Sequence, residues 1–187
     1  TKELVTSVLS QEYNVVSTLG NLNNHIGVPL TLLRIKKEHE IAVVEMGANH
    51  IGEIKFLMEI AEPTYGIITN IGHAHIEGFG SFENIIKAKG ELYEYIRNSK
   101  DGKIFIDYDN QLLREMAEGI TSIFYGLEDD LFISGKVLSI NPYLELEWKF
   151  VNTRKQIKTK LIGEYNLNNV LAAITIGKYL GIKSNLI

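Results

Sequence analysis

Tyr65–Glu91, YGIITNIGHAHIEGFGSFENIIKAKGE, holds an apolar run, a glycine-rich turn with two histidines and a glutamate, and most of a helix's first turns. The run Tyr65–Asn70 reads as a buried strand. Ser81 is of the right type for a helix N-cap, and the spacing predicts a helix from there to about Asn98. Ile85, Lys89, Leu92 and Ile96 fall on one face at steps of four, three and four, while Lys87, Glu91, Glu94 and Asn98 fall on the opposite one. Lys87 and Glu91 then make an ordinary solvated pair four residues apart. Lys89 lies on the apolar face, where a lysine does not belong unless something there needs it. Strand, reactive turn and helix make one βα unit, and that unit decides the fold.

The unit repeats in both directions. Upstream, Ile41–Met46 (IAVVEM) is a nearly continuous apolar run, as expected of a parallel strand buried on both faces. A helix from about Ile51 to Ala61 follows it and is stopped by Pro63. Before it come a short strand, Tyr13–Thr18 (YNVVST), the loop Leu19–Pro29 (LGNLNNHIGVP), and a helix from Pro29 through about Ile35. Thr1 leads straight into a helical pattern (Leu4, Val5, Val8, Leu9) with no strand before it. An α/β unit that starts on its helix is expected to have lost a first strand and loop, so the chain reads as cut from something longer.

Downstream, Lys103–Asp107 (KIFID), a short helix Gln111–Ala117 and the strand Ser122–Tyr125 continue the alternation, which means a parallel sheet with helices on both faces. The pattern then changes. Leu131–Ser139, Tyr143–Val151 and Gln156–Leu161 are strands with no helices between them, and Leu144, Leu146, Trp148 and Phe150 alternate with Glu145, Glu147 and Lys149. That is the mark of an antiparallel sheet wet on one face. A last helix, about Leu167–Leu180, ends at Gly181. The expected class is α/β: a mostly parallel sheet with helices on both faces, plus a small antiparallel β-meander.

The 187 residues, 45% hydrophobic and 22% charged, suffice for one domain with a full core. A net charge of −4 argues against a nucleic-acid partner, whose footprint is a basic excess. The absence of cysteine excludes disulfides and thiolate metal sites, so any metal must be a hard one held by oxygen and nitrogen. No apolar run approaches the roughly 20 residues of a membrane span, and no signal peptide opens the chain. A cytoplasmic protein without membrane insertion is the expectation.

Glu45, His75 and Lys89 each follow or flank a buried strand, so a parallel topology brings their loops to one edge of the sheet, where open α/β sheets bind ligands. Glutamate and histidine ligate a hard divalent cation with water completing the shell. A lysine ammonium repels such a cation. A buried lysine serves either as a cation for phosphate or, once its neutral amine has taken up CO₂, as an anionic carbamate. Plainer readings stand beside these: Glu45 solvating a strand end, Lys89 snorkelling to water, His73 and His75 supporting a turn or filling a core. Asn21, Asn23 and Asn24 either brace turns through side-chain bonds to backbone or form a polar strip for a ligand. A glycine-rich edge of a parallel sheet suits a nucleotide, yet no G-x-x-x-x-G-K-[ST] is present; the loop that would carry it lies where the first strand is missing.

Four segments resemble the central, ATP-binding domain of the Mur ligases: GNLNNHIGVPLTLLR at Gly20–Arg34, EMGANHIGEI at Glu45–Ile54, TNIGHAHIEGFGSFENIIKAKGELYEY at Thr69–Tyr95 and GEYNLNNVLAA at Gly163–Ala173. The first three resemble the branch that joins D-alanyl-D-alanine to UDP-N-acetylmuramoyl-tripeptide rather than the superfamily at large. The resemblance implies a P-loop-NTPase-like sheet, with ATP and Mg²⁺ as cofactors. It makes Glu45 and His75 metal ligands, and Lys89 a carbamate holding a second Mg²⁺. It places Asn166 and Asn169 at the adenine; the residue before Asn166 is usually histidine, and Tyr165 stands there, leaving that side chain's role open. Asn21, Asn23 and Asn24 would face the UDP-muramyl-peptide, with Asn49 and His50 lining the same cleft.

The implied reaction begins with attack of a peptide carboxylate on the ATP γ-phosphate, giving an acyl phosphate and ADP. The amine of D-alanyl-D-alanine then attacks the acyl carbon and expels phosphate. Two anions meet in the first step, which is why a cation and a phosphate-loop lysine are needed. By the same resemblance the chain is a central domain cut just after its phosphate loop. It lacks the UDP-binding N-terminal and the C-terminal domains, is expected to be inactive alone, and belongs to an enzyme acting as a monomer in peptidoglycan precursor synthesis. Another ligase of the superfamily, such as a folylpolyglutamate synthase or a different Mur enzyme, would share Glu45, His75 and Lys89 but lack NLNNHIGVP and GANHIGEI. A non-catalytic nucleotide-binding module would bind Mg²⁺ without needing Glu45.

Overall fold

The computed structural model describes residues 1–72 and 76–187, with Ile76 and Glu77 described by backbone alone. The elements in order are α1 (Lys2–Leu9), β1 (Val15–Ser17), α2 (Gly27–Leu32), β2 (Ile41–Val43), α3 (Glu53–Ala61), β3 (Tyr65–Ile67), α4 (Ile76–Phe79), α5 (Phe82–Arg97), β4 (Lys103–Asp107), α6 (Gln111–Met116), β5 (Ser122–Gly126), β6 (Ile133–Ser139), β7 (Glu145–Phe150), β8 (Thr153–Lys158) and α7 (Asn166–Tyr179). The α/β class is borne out. Strands β3 to β6 run parallel, β6, β7 and β8 run antiparallel, and all six join one sheet in sequence order. The meander is therefore an extension of the parallel sheet and shares its core. No helix among the described residues is long and apolar enough to cross a membrane.

The parallel part is divided, contrary to the single sheet expected. β1 pairs with β2 in a sheet of two strands, and β2 does not pair with β3. Between their facing edges lies a groove of about 770 Å³. This changes the reading of Ile41–Met46. Only Ile41–Val43 is strand; Ile41 and Val43 are half-buried and Ala42 is exposed, because one edge of β2 is open to the groove. The last strand also shifts, to Thr153–Lys158 in place of Gln156–Leu161. Phe150 pairs with Thr153, so Val151 and Asn152 form a two-residue turn, with Val151 at φ +52° where a strand residue was expected.

Two cores cover the two faces of the larger sheet, and β4 shows how. Phe105 points to the core shared with α1 and α7, while Ile104 and Ile106 point to the one shared with α5 and α6. The alternation in β7 is as expected, with Leu146 and Trp148 buried under α7 between half-buried Glu145, Glu147 and Lys149. Each fully buried side chain of this size contributes roughly 1.5–3 kcal/mol, enough to anchor the meander firmly. Helix α7 can lie directly on β6 because residue 135 is glycine: a Cβ there would come within 2.4 Å of Leu171 Cδ2. Helix α5 is capped as expected, the Ser81 hydroxyl accepting from the Asn84 N–H at 3.2 Å.

Candidate functional site

The carboxyl ends of β2 and β3 and the start of α1 meet at the groove, and Thr1, Lys2, Glu45, Asn70 and Lys89 all line it. β1 and β2 run parallel, as do β3 and β4, so within each sheet the carboxyl ends share one edge, where loops such as those of Glu45 and Asn70 gather. Glu45 lies two residues past β2. Its N–H donates to the Thr18 hydroxyl at 2.9 Å, and its Oε1 accepts from the Asn23 side-chain amide at 2.9 Å. Oε2 has the Lys2 ammonium 3.9 Å away. A carboxylate oriented in this way, and still partly exposed, is a suitable hard oxygen donor for a divalent cation whose remaining ligands are water.

Lys89 is half-buried on the inward side of α5, as its spacing predicts, and its ammonium donates to the Asn70 carbonyl at 2.5 Å. Burial pushes its pKa below the usual lysine value. A weaker base carries a larger neutral fraction at neutral pH, which is the form that reacts with CO₂. His75, with His73, lies outside the described residues.

The asparagines divide by role. Asn24 Oδ1 accepts from the N–H groups of Ile26 and Gly27 and so braces the start of α2. Asn23 braces Glu45 with its side chain, and its carbonyl accepts from the Gly47 N–H at 2.8 Å. The Asn21 side chain is exposed and makes no hydrogen bond among the described residues. Across the start of α1, the Thr1 hydroxyl donates to Asn169 Oδ1, and Asn169 Nδ2 donates to Asn166 Oδ1 at 3.3 Å. Tyr165 beside them is exposed.

Asn49 and His50 are exposed near α3, and both give their N–H groups to Glu53 Oε2, at 2.7 and 3.1 Å. The Asn49 amide, followed by the His50 ring and amide, holds the Glu53 carboxyl below the usual range despite some desolvation. Glu91 is not the partner of Lys87. Its two oxygens accept from the N–H groups of Gly52 at 2.6 Å and Lys55 at 2.8 Å, capping α3 from another helix. A carboxylate at a helix N-terminus satisfies otherwise orphan donors and complements the helix dipole, which outweighs a solvated ion pair.

Two residues escaped the sequence reading. Lys2 had no part in the sequence reading, yet its side chain is only 9% exposed and lines the groove. Asp107, at the carboxyl end of β4, accepts from Asn168 Nδ2 at 2.6 Å and from the Asp109 N–H at 3.1 Å, tying that strand to the first turn of α7. Burial raises its pKa, and the Asp109 charge adds to this.

Residues 1–177 match the family model described as the Mur ligase middle domain. A UDP-N-acetylmuramoyl-tripeptide–D-alanyl-D-alanine ligase from Synechocystis is 40% identical over 185 residues, covering 97% of this chain and 38% of the relative. MurF from Acinetobacter baumannii superposes with a TM-score of 0.88 at 30% identity, over 99% of this chain and 41% of that one. MurF from Thermotoga maritima, solved in complex with ADP, superposes with a TM-score of 0.81 at 29% identity, over 97% and 43%. The chain thus spans about two fifths of the length of these relatives.

Proposed function

The chain belongs to the Mur ligase family, as its middle domain, and on that premise we propose that it is the ATP-handling domain of an ADP-forming ligase that joins D-alanyl-D-alanine to UDP-N-acetylmuramoyl-tripeptide in the cytoplasmic synthesis of peptidoglycan precursor. The observation that carries this reading is the gathering of Thr1, Glu45, Asn70 and Lys89 around one groove at the carboxyl ends of parallel strands. Glu45 would hold Mg²⁺, with His75 and a carbamylated Lys89 completing the set. The ion would supply charge screening where a carboxylate meets a phosphate. Lys89, kept less basic by burial, exchanges a repelling ammonium for anionic oxygens when it takes up CO₂. Asn166 and Asn169 hold the adenine side, next to Thr1.

Asn21, Asn23, Asn24, Asn49 and His50 form the wall toward the muramyl peptide in this reading. Asn21 is the member of the loop whose side chain is left uncommitted, and Asn23 and Asn24 act by holding Glu45 and α2 in place. The groove between β2 and β3, with an open parallel edge on each side, suits one further parallel strand leading a phosphate loop into Thr1. N-terminal and C-terminal domains for the two substrates complete the enzyme, which works as a monomer.

The test uses a chain of the relatives' full length that carries this domain. ATP, UDP-N-acetylmuramoyl-tripeptide and D-alanyl-D-alanine together should release ADP, and single amino acids in place of the dipeptide should not. Turnover with a single amino acid would assign the domain to another ligase of the superfamily. Glu45→Ala and Lys89→Ala should each lower activity about a thousandfold, on the order of 4 kcal/mol in the barrier. Short carboxylic acids should restore part of the Lys89→Ala loss; no rescue would remove the carbamate and leave Glu45 standing. Mg²⁺ binding undiminished by Glu45→Ala would favour a non-catalytic module.

A further inference from the structure

The Lys2 side chain, beside Glu3 in α1, is only 9% exposed. The three ammonium hydrogens meet three acceptors: the carbonyls of Thr18 and Gly20, each at 2.7 Å, and Glu3 Oε1 at 3.0 Å. Glu45 Oε2 stands further off, at 3.9 Å.

The two carbonyls flank Leu19 at the exit of β1. They converge on one cation because Gly20 takes φ +52°; open space surrounds the position where its Cβ would be, so the backbone conformation is what calls for glycine. This exit leads directly into Asn21–Asn24, and the Thr18 hydroxyl receives the Glu45 N–H. With its donors occupied elsewhere, the ammonium is kept from closing onto Glu45, which stays charge-balanced without being neutralised by a direct bond. One residue away, Thr1 makes the contact to Asn169.

We propose that Lys2 is a positioning residue for the ligation, fastening the β1 exit to the start of α1. It thereby holds the asparagine loop and the Glu45 carboxylate in one frame with the nucleotide-side contact of Thr1. This rests on the ligase reading of the site. Lys2 touches no reacting atom; it acts through Thr18, Gly20 and Glu45.

Lys2→Met keeps the apolar stem and removes the donors. In the 187-residue chain, amide hydrogen exchange at Gly20–Asn24 and Glu45–Gly47 should speed up at least tenfold, with β4 and β5 unchanged. In a full-length ligase carrying the domain, the KM for the UDP-muramyl-tripeptide should rise about tenfold, and Lys2→Arg, which retains a cation, should recover part of the loss. A substitution that merely lowered the folded fraction would reduce kcat and leave KM where it was. Unchanged exchange in the two segments, or equal acceleration throughout the sheet, would overturn the proposal. Faster exchange confined to those segments, together with a full-length protein that has no ligase activity even with Lys2 intact, would fail the ligase reading while retaining Lys2 as the fastener of this edge.

Discussion

β1 and β2 pair over three residues each, whereas β7 and β8 pair over six. The short pair carries several side chains bonded to backbone, beside the packing of Val15, Ile41 and Val43 on the shared core. Arg34 donates to the Ser17 carbonyl at 2.9 Å, Glu40 accepts from the Asn14 N–H at 3.0 Å, and Lys2 and Thr18 bind the strand exits. The long pair is held from beneath, where Leu146 and Trp148 pack on α7. Hydrogen bonds of the first kind contribute about 1 kcal/mol each, and each one is specific in direction. Apolar burial contributes more per residue and has little direction. One flank is therefore built to resist unfolding, and the other to place particular groups at the groove and to open locally at low cost.

The largest effect should come from breaking the apolar flank. Trp148→Ala, at a residue 1% exposed, should cost about 3–5 kcal/mol in urea denaturation. Arg34→Ala, which removes one polar link to β1, should cost about 1 kcal/mol or less and should speed exchange only near Ser17. Equal losses from the two would erase the contrast between the flanks.

The same contrast explains what could be read in advance. Apolar periodicity is carried by residue type, so the buried face of β7 and the inward position of Lys89 were legible, as was the Ser81 cap, whose partner is three residues away. Polar links to backbone leave almost no such trace. Glu91 caps α3 through residues 36 and 39 positions away, so nothing local separates it from a solvated partner of Lys87. Asn23 and Asn24 are the same residue type with different partners. The apolar run Ile41–Met46 looks the same whether its neighbouring edge is paired or open, which is why the division of the sheet at β2 and β3 was invisible.

A smaller effect should come from Glu91, a polar fastening that reaches across to α3. Glu91→Ala should cost about 1 kcal/mol, typical of a lost helix cap, and should speed exchange at Gly52 and Lys55. Lys87→Ala, on the solvated face, should change stability by less than about 0.5 kcal/mol. Equal losses would restore the ion pair as the relevant interaction.

A pH-dependent contrast lies at Asp107, which ties β4 to α7. The residue is 5% exposed and faces Asp109, Arg114 and Tyr125. Desolvation raises its folded pKa above the unfolded value of about 3.9. The fold therefore favours its neutral form. The stability it contributes is fully present below the unfolded pKa and is lost as pH rises through the folded one. Asp107→Asn is neutral throughout. If the Asn168 amide turns over, it can accept from the new amide, leaving the new carbonyl for the Asp109 N–H. The depressed carboxyls of Glu53 and Glu147 respond to pH in the opposite direction but are common to both proteins, so they cancel in the difference. As pH rises from about 4 through the raised folded pKa, the variant should gain on the parent, read from paired thermal melts. A difference that stays flat or shrinks over that range would mean that the ionised carboxylate is needed at this junction. The bond to Asn168 would then belong with the polar fastenings of the β1–β2 edge.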